Sequence, residues 1–122
     1  MHFQHLTYWQ DKAKNSAIET RLFINGAYCD AADNATFETV NPATQQTLAN
    51  VARGKQADVD RAVQAARAVF ERGDWSQASP AQRKAVLNTL ADLMERHSEE
   101  LALLETLDTG KPIRHSLRDD IP

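Results

Sequence analysis

The order of apolar and polar positions predicts short strands in the first half of the chain and amphipathic helices in the second. Four short runs rich in β-branched and aromatic residues are bounded by turn-forming residues, as paired strands are. These runs are Leu22–Ile24, Ala27–Cys29, Thr36–Val40 and Thr47–Ala52. Asn25 and Gly26 predict a type I′ hairpin, which needs positive φ at both positions, and Pro42 fixes a turn over Asn41–Thr44. Hairpins this short need support from other elements.

After Gly54 the apolar spacing becomes that of a helix. The first helix ends at Gly73, and we expect Trp75 to cover that end. The second begins at Ser79, which forms a capping box with Gln82. The apolar stripes are Val59, Ala62, Val63, Ala66, Val69 and Phe70 in the first helix and Val86, Leu87, Leu90, Leu93 and Met94 in the second.

The remaining apolar pattern predicts a break in the second helix and the start of a further helix. We expect the helix to bend near His97, to be capped again by Ser98 and to end at Gly110. A further helix is predicted from about Ser116. The sequence stops at Pro122, one turn into that helix, and an unfinished helical turn gains little from packing. We therefore expect a piece of a longer protein, in three segments: an arm (1–20) with a short helix anchored by Tyr8 and Trp9, a hairpin segment (21–54) and a helical segment (55–122).

Composition narrows the class of protein. The 122 residues contain 14 Lys and Arg against 17 Asp and Glu, a net charge of −3, which gives no electrostatic reason to expect nucleic acid or an anionic membrane as partner. One cysteine excludes an internal disulfide and favours a reducing compartment, here the cytoplasm. The first residues lack the apolar stretch of a signal peptide.

The local sequence supports neither a nucleophilic cysteine nor a helical zinc site. Cys29 lies on a predicted strand without a neighbouring base, so we interpret it as structural. A helical zinc site would need a second histidine four residues after His97, where Leu101 stands. The four histidines, His2, His5, His97 and His115, are interpreted as solvated or capping residues.

The sequence also matches no nucleotide-binding motif and no carboxylate pair suited to acid–base catalysis. The four glycines are too far apart for a dinucleotide fingerprint. Gly110 and Lys111 superficially match a phosphate loop, but that motif needs Ser or Thr where Pro112 stands. Asp119 and Asp120 are adjacent on a helical start and point in different directions, so we expect capping and solvated roles.

Four segments together carry a family resemblance. They are Leu22–Gly26, Thr39–Thr44, Asp58–Arg67 and Leu103–Pro112. In order and spacing, residues 21–122 resemble the N-terminal quarter of an NAD(P)-dependent aldehyde dehydrogenase. The resemblance implies an α/β fold (α+β for this segment alone), in which N-terminal hairpins precede two long helices that flank the sheet of the cofactor domain. The arm and the last ten residues further resemble the bacterial subfamily that oxidises γ-glutamyl-γ-aminobutyraldehyde in putrescine breakdown.

The resemblance implies an activity whose catalytic residues follow the region matched here. Members of this family oxidise an aldehyde to the carboxylic acid with NAD or NADP, using a cysteine thiolate and a glutamate that follow the region matched here. Cys29 does not match the catalytic position, so no catalytic and no cofactor-binding residue is assigned. The resemblance also implies a structural sodium or potassium ion, with Thr39, Val40 and Asp108 as ligands. The alternative is that Asp108 only caps.

These implications predict a scaffold role. We expect the 122-residue chain to be inactive by itself and to expose an apolar face, while the complete enzyme takes an aldehyde substrate and forms a dimer or tetramer. Two alternatives stay open at this point. One is a small helical interaction module that grips a partner through the stripes between Leu87 and Leu107, although the hairpins argue against it. The other is a gene remnant or truncated piece.

Overall fold

A computed structural model describes residues 4–121, which form five α-helices, a π-helical turn and two small sheets. The helices are α1 (Leu6–Asn15), α2 (Gln56–Arg72), α3 (Pro80–Arg96), α4 (Ser98–Thr109) and α5 (Ile113–His115), and the π-helical turn is Ser116–Asp120. The strands are β1 (Leu22–Ile24), β2 (Ala27–Cys29), β3 (Thr36–Val40) and β4 (Thr47–Ala52). The mixed helix-and-strand architecture is confirmed. The interpretation of His2 and the chain end at Pro122 lie outside the described residues.

The described chain forms two compact units. The first unit comprises residues 4–18, 39–48 and 90–121, and the second comprises residues 19–38 and 49–89.

The predicted hairpin opens the second unit. Strands β1 and β2 pair in antiparallel fashion, with Leu22 opposite Cys29 and Ile24 opposite Ala27. The turn residues Asn25 and Gly26 have φ of 53° and 78°, so both take the positive φ that a type I′ turn requires. The hairpin prediction is therefore confirmed, including its register.

Helix α2 begins on a buried carboxylate. Asp58 is only 3% exposed, and its Oδ2 accepts a hydrogen bond from the Lys55 N–H at 3.1 Å. Its Oδ1 accepts a second bond from the Ala32 N–H at 3.0 Å. One side chain thus closes the first turn of the helix and ties down the preceding loop. At the other end, Gly73 takes φ of 80° and its N–H bonds to the Phe70 carbonyl, so the predicted stop is confirmed.

The capping predictions for the next helices were half right. The Ser79–Gln82 capping box is present, with hydrogen bonds of 2.9 and 3.2 Å in the two directions. The break at His97 is also confirmed, but Ser98 as the cap is wrong. His97 itself is the N-cap, with no side-chain hydrogen bond to the helix, and Ser98 is the first helical residue. The His97 carbonyl accepts the first hydrogen bond of α4, from the Leu101 N–H at 3.0 Å.

The predicted helix start at Ser116 is also wrong, by three residues. Helix α5 begins at Ile113, directly after Pro112, whose fixed φ of −58° suits a helix entry. Ser116 is fully buried at the start of the π-helical turn, and its hydroxyl lies 3.2 Å from the Thr106 hydroxyl. Because that hydroxyl bonds to α4, it is not available as a cap.

The core of the first unit forms around Trp9. This side chain is 7% exposed and packs with Ala102, Leu103 and Leu117. The prediction that an aromatic residue anchors the arm is confirmed for Trp9, whereas Tyr8 stays partly exposed. Helix α1 is longer than predicted, because it begins at Leu6 and continues to Asn15.

The apolar stripes of α2 and α3 are largely exposed. Among them, Val63, Phe70 and Leu87 each keep more than half of their surface open to solvent. Trp75 lies in the predicted loop after α2 and is 46% exposed. It lines an open groove of about 550 Å³ together with Val69 and Phe70. The expectation of an exposed apolar face is confirmed.

Candidate functional site

The three predicted ion ligands all lie in the first unit. Thr39 and Val40 end strand β3, and Asp108 occupies the last turn of α4. Thr39 is half-buried, whereas Val40 and Asp108 are exposed. Among residues 4–121, no hydrogen bond or ion pair engages the Asp108 carboxylate, so nothing there supports the alternative of a simple cap.

The end of α4 lies directly against the turn that follows β3. A Cβ atom placed on Gly110 would lie 3.0 Å from Cγ of Pro42, so the proline ring lies against the glycine and leaves little room for a side chain there. The turn itself is held by Asn41, whose Oδ1 accepts the Ala43 N–H at 2.9 Å and whose carbonyl accepts the Gln45 N–H at 2.8 Å. The predicted turn is therefore confirmed, and it brings the segment after Thr39 and Val40 to the helix end that carries Asp108.

This arrangement offers oxygen atoms to a hard cation. The last turn of α4 contains no basic residue, so the negative end of the helix is not neutralised by a side chain of its own last turn. Backbone carbonyls and one free carboxylate are the ligand types that hard cations prefer. No cluster of three or more His, Cys, Asp or Glu residues suited to a metal occurs in the described part of the chain. The chemistry of these residues thus fits a carbonyl-rich ion site with a single carboxylate.

Both aspartates after Gly110 are paired with basic residues. The Lys111 Nζ donates to both carboxylate oxygens of Asp120, at 2.6 and 2.5 Å. Arg118 donates to Asp119 at 2.6 Å, and this bond is the main reason why the pKa of Asp119 falls to about 2, with His115 a smaller cause. Both aspartates are exposed, as predicted, but they form ion pairs rather than caps. Lys111 therefore has a carboxylate partner of its own.

Cys29 has a partner that the sequence did not predict. The Arg61 Nη2 lies 3.1 Å from the Cys29 Sγ, and the thiol is half-buried on β2. The two residues are 32 positions apart, so no local pattern links them. Gly26, Gly73 and Gly110 each occupy a separate turn with positive φ. The glycines thus serve individual turns, and the chain supplies no residue that we assign to catalysis or to a nucleotide.

No helix within residues 4–121 has both the length and the apolar character that a membrane crossing requires.

Comparison with known proteins gives one consistent result. Residues 28–122 match the model of the aldehyde dehydrogenase family. The chain is 75% identical, over all 122 residues, to the NADP/NAD-dependent aldehyde dehydrogenase PuuC of Escherichia coli (strain K12), and covers 25% of that protein. The chain therefore spans about a quarter of the length of this relative.

Two solved structures extend the comparison. The γ-glutamyl-γ-aminobutyraldehyde dehydrogenase of Burkholderia cenocepacia J2315 is 49% identical with a TM-score of 0.94, over 96% of this chain and 24% of that one. The indole-3-acetaldehyde dehydrogenase AldA of P. syringae, solved as a mutant in complex with NAD+ and IAA, is 50% identical with a TM-score of 0.91, over 93% of this chain and 23% of that one. The sequence match and the shared fold agree with the four segments that suggested the resemblance. The chain belongs to the aldehyde dehydrogenase family.

Proposed function

We propose that this chain is the scaffold segment of an enzyme that oxidises an aldehyde to the carboxylic acid with NAD or NADP. The observation that carries the proposal is the 75% identity over all 122 residues to a relative named as NADP/NAD-dependent. The nucleophile, the general base and the nucleotide contacts come from other parts of the enzyme. The 122-residue chain by itself is therefore inactive.

The substrate we propose is γ-glutamyl-γ-aminobutyraldehyde or another ω-amino aldehyde. The B. cenocepacia structure that bears this substrate in its name supports the proposal, since it matches 96% of the chain with a TM-score of 0.94. That coverage extends beyond the region of the family model, which begins at residue 28. The proposed enzyme works in the cytoplasm as a homo-oligomer, a dimer or tetramer.

The segment boundaries follow the same proposal. Residues 1–20 form an arm, residues 21–54 a hairpin segment and residues 55–122 a helical segment. Together they make up the N-terminal part of one cofactor-binding domain. The apolar stripes of α2 and α3, exposed in this chain, are the surfaces that pack in the whole enzyme.

A chimera tests the proposed function. This chain replaces the matching quarter of the E. coli relative, and NAD(P)H formation is followed by absorbance with γ-glutamyl-γ-aminobutyraldehyde, a simple aliphatic aldehyde and indole-3-acetaldehyde. We expect the chimera to oxidise the ω-amino aldehyde with the highest kcat/KM, and the 122-residue chain to form no NAD(P)H. A folded, oligomeric chimera without activity would contradict the proposal, as would activity of the 122-residue chain alone.

The structural ion is proposed on the oxygens of Thr39, Val40 and Asp108. A bound ion stabilises the folded state according to its concentration and affinity. We expect the thermal midpoint of the chimera to rise when choline chloride is replaced by sodium or potassium chloride at equal ionic strength. Asp108→Asn should abolish most of that rise, whereas Asp92→Asn, an exposed aspartate on α3, should leave it intact. An equal rise in the Asp108→Asn protein would overturn the assignment.

A further inference from the structure

Helix α1 is held to the rest of the first unit by one apolar anchor and one charged cluster. The anchor is Trp9, the one buried residue of the helix. In the cluster, the Glu99 Oε2 accepts hydrogen bonds from the Tyr8 hydroxyl at 2.6 Å and from the Lys12 Nζ at 2.7 Å. The Lys12 Nζ also lies 3.4 Å from the Tyr8 hydroxyl. Ala13 of the same helix also packs against the core that Trp9 joins. The attachment of α1 thus consists of this apolar contact and the Glu99 cluster.

The helix has little stability of its own. It contains ten residues, its N-cap His5 makes no side-chain hydrogen bond, and its first turn has no acidic residue. Isolated helices shorter than about 12 residues are marginal in water. Residues 16–20, which follow α1, belong to no helix or strand. The helical state of α1 therefore depends on docking.

The helix also lies outside the residues that the family model matches. The family model begins at residue 28, beyond α1, whereas α4 and the π-helical turn lie within the matched residues. A short element that is weakly helical by itself can open without unfolding what it covers.

We propose that α1 is a detachable strap, which opens independently of α4 and uncovers an apolar patch formed by Ala102, Leu103 and Leu117. When the strap is docked, Trp9 covers this patch and Glu99 holds the polar side of the helix. When it opens, α1 loses its helical structure and the patch becomes accessible to solvent. The fold then has two states that differ in one exposed apolar surface.

Native-state hydrogen exchange tests the strap on both the 122-residue chain and the chimera. We expect the amides of α1 to exchange with a lower opening free energy than those of α4. Glu99→Gln should speed the exchange of α1 by about fivefold, the effect of losing an exposed charge pair worth about 1 kcal/mol. The matched control is Glu100→Gln, since Glu100 contacts His97 rather than α1, and it should leave the exchange of α1 unchanged.

A second variant tests whether the apolar patch becomes exposed when α1 opens. In Trp9→Ala, the α1 amides should exchange at nearly the rate of an unfolded peptide while α4 remains protected, and binding of an apolar dye should increase. The proposal is overturned if α1 and α4 open with the same free energy in the unmodified chain, or if Glu99→Gln speeds both helices equally. Global unfolding of Trp9→Ala would also count against it, because a detachable strap cannot be required for the fold beneath it.

Discussion

At the scale of single residues, Asp58 makes more contacts in the structure than its position in the sequence predicts. Asp58 is the acidic residue in the first turn of α2, where the helix dipole favours a negative charge. In the structure it is buried and accepts two backbone hydrogen bonds, from Lys55 and from the loop residue Ala32. The first bond is local and could be anticipated from an acid at the third helical position. The second could not, because Ala32 is 26 residues away.

Asp58→Ala should destabilise the chain markedly. It leaves the N–H groups of Lys55 and Ala32 without their acceptor, and losing a helix cap costs about 1 kcal/mol, with about 1 kcal/mol more for the second hydrogen bond. We expect a loss of about 2 kcal/mol in the free energy of unfolding, measured by urea denaturation. Asp60→Ala, in the same helical turn but exposed, is the control and should change the value by less than about 0.5 kcal/mol. Equal effects of the two substitutions would refute this role.

The pairing of Glu19 with Arg21 predicts an acid-dependent signal. The side-chain hydrogen bond from Arg21, helped by its backbone N–H, lowers the pKa of Glu19 from 4.5 to about 2. Because the folded-state pKa is lowered, the contribution of this pair is complete above pH 4.5 and is lost as the pH falls toward 2. A carboxyl NMR titration should show Glu19 changing protonation near pH 2. In Arg21→Ala the transition should return toward pH 4.5, and a midpoint that does not move would contradict the pairing.

At the scale of elements, the accuracy of sequence reasoning depended on how local each determinant is. The hairpin at Asn25 and the capping box at Ser79 were predicted correctly because all the atoms involved lie within four residues. The helix start predicted at about Ser116 was wrong because the role of this residue is not local. Its hydroxyl bonds to Thr106 on another helix, and only the packed structure reveals that partner.

The helix end at Gly110 provides a test that separates backbone strain from steric contact. Gly110 and Gly26 have nearly the same positive φ, 77° and 78°, but an added Cβ would meet Pro42 at 3.0 Å in the first case and nothing within 4 Å in the second. A left-handed conformation costs a non-glycine residue about 1–2 kcal/mol. We expect Gly26→Ala to show this cost alone and Gly110→Ala to exceed it by about 1 kcal/mol from overpacking. The measurement is the unfolding free energy of both variants. A smaller loss for Gly110→Ala than for Gly26→Ala would mean that Pro42 moves aside without a steric cost.

At the scale of the whole molecule, the exposed stripes of α2 and α3 show which features helical periodicity can predict and which it cannot. The spacing of Val86, Leu87 and Leu90 correctly predicted one face of a helix, but periodicity does not say what lies against that face. More than half of the surface of each of these residues is exposed in this chain. The family was accessible from sequence because four separate segments kept their order, whereas the contacts of Arg61 and Glu99 arise only when distant parts of the chain meet.

A double substitution distinguishes the chain from the proposed whole enzyme. Leu87→Glu with Leu90→Glu should change the unfolding free energy of the 122-residue chain by less than about 0.5 kcal/mol per site, because both side chains face solvent. In the chimera the same pair should prevent assembly of active enzyme, since buried unpaired charges are strongly unfavourable. Activity and size-exclusion profiles measure this, with Asn88→Glu on the same helix as the control. Full activity of the doubly substituted chimera would show that this face remains exposed in the enzyme.

The unequal burial of the two tryptophans has a practical consequence. Trp9 is 7% exposed and Trp75 is 46% exposed, so the two indoles sit in environments of very different polarity. Their fluorescence should therefore divide into a blue-shifted component shielded from aqueous quenchers and a red-shifted component open to them. Each compact unit contains one of these fluorophores, so the chain carries an intrinsic optical label for each half, and melting of one half can be followed separately from the other without attaching a dye.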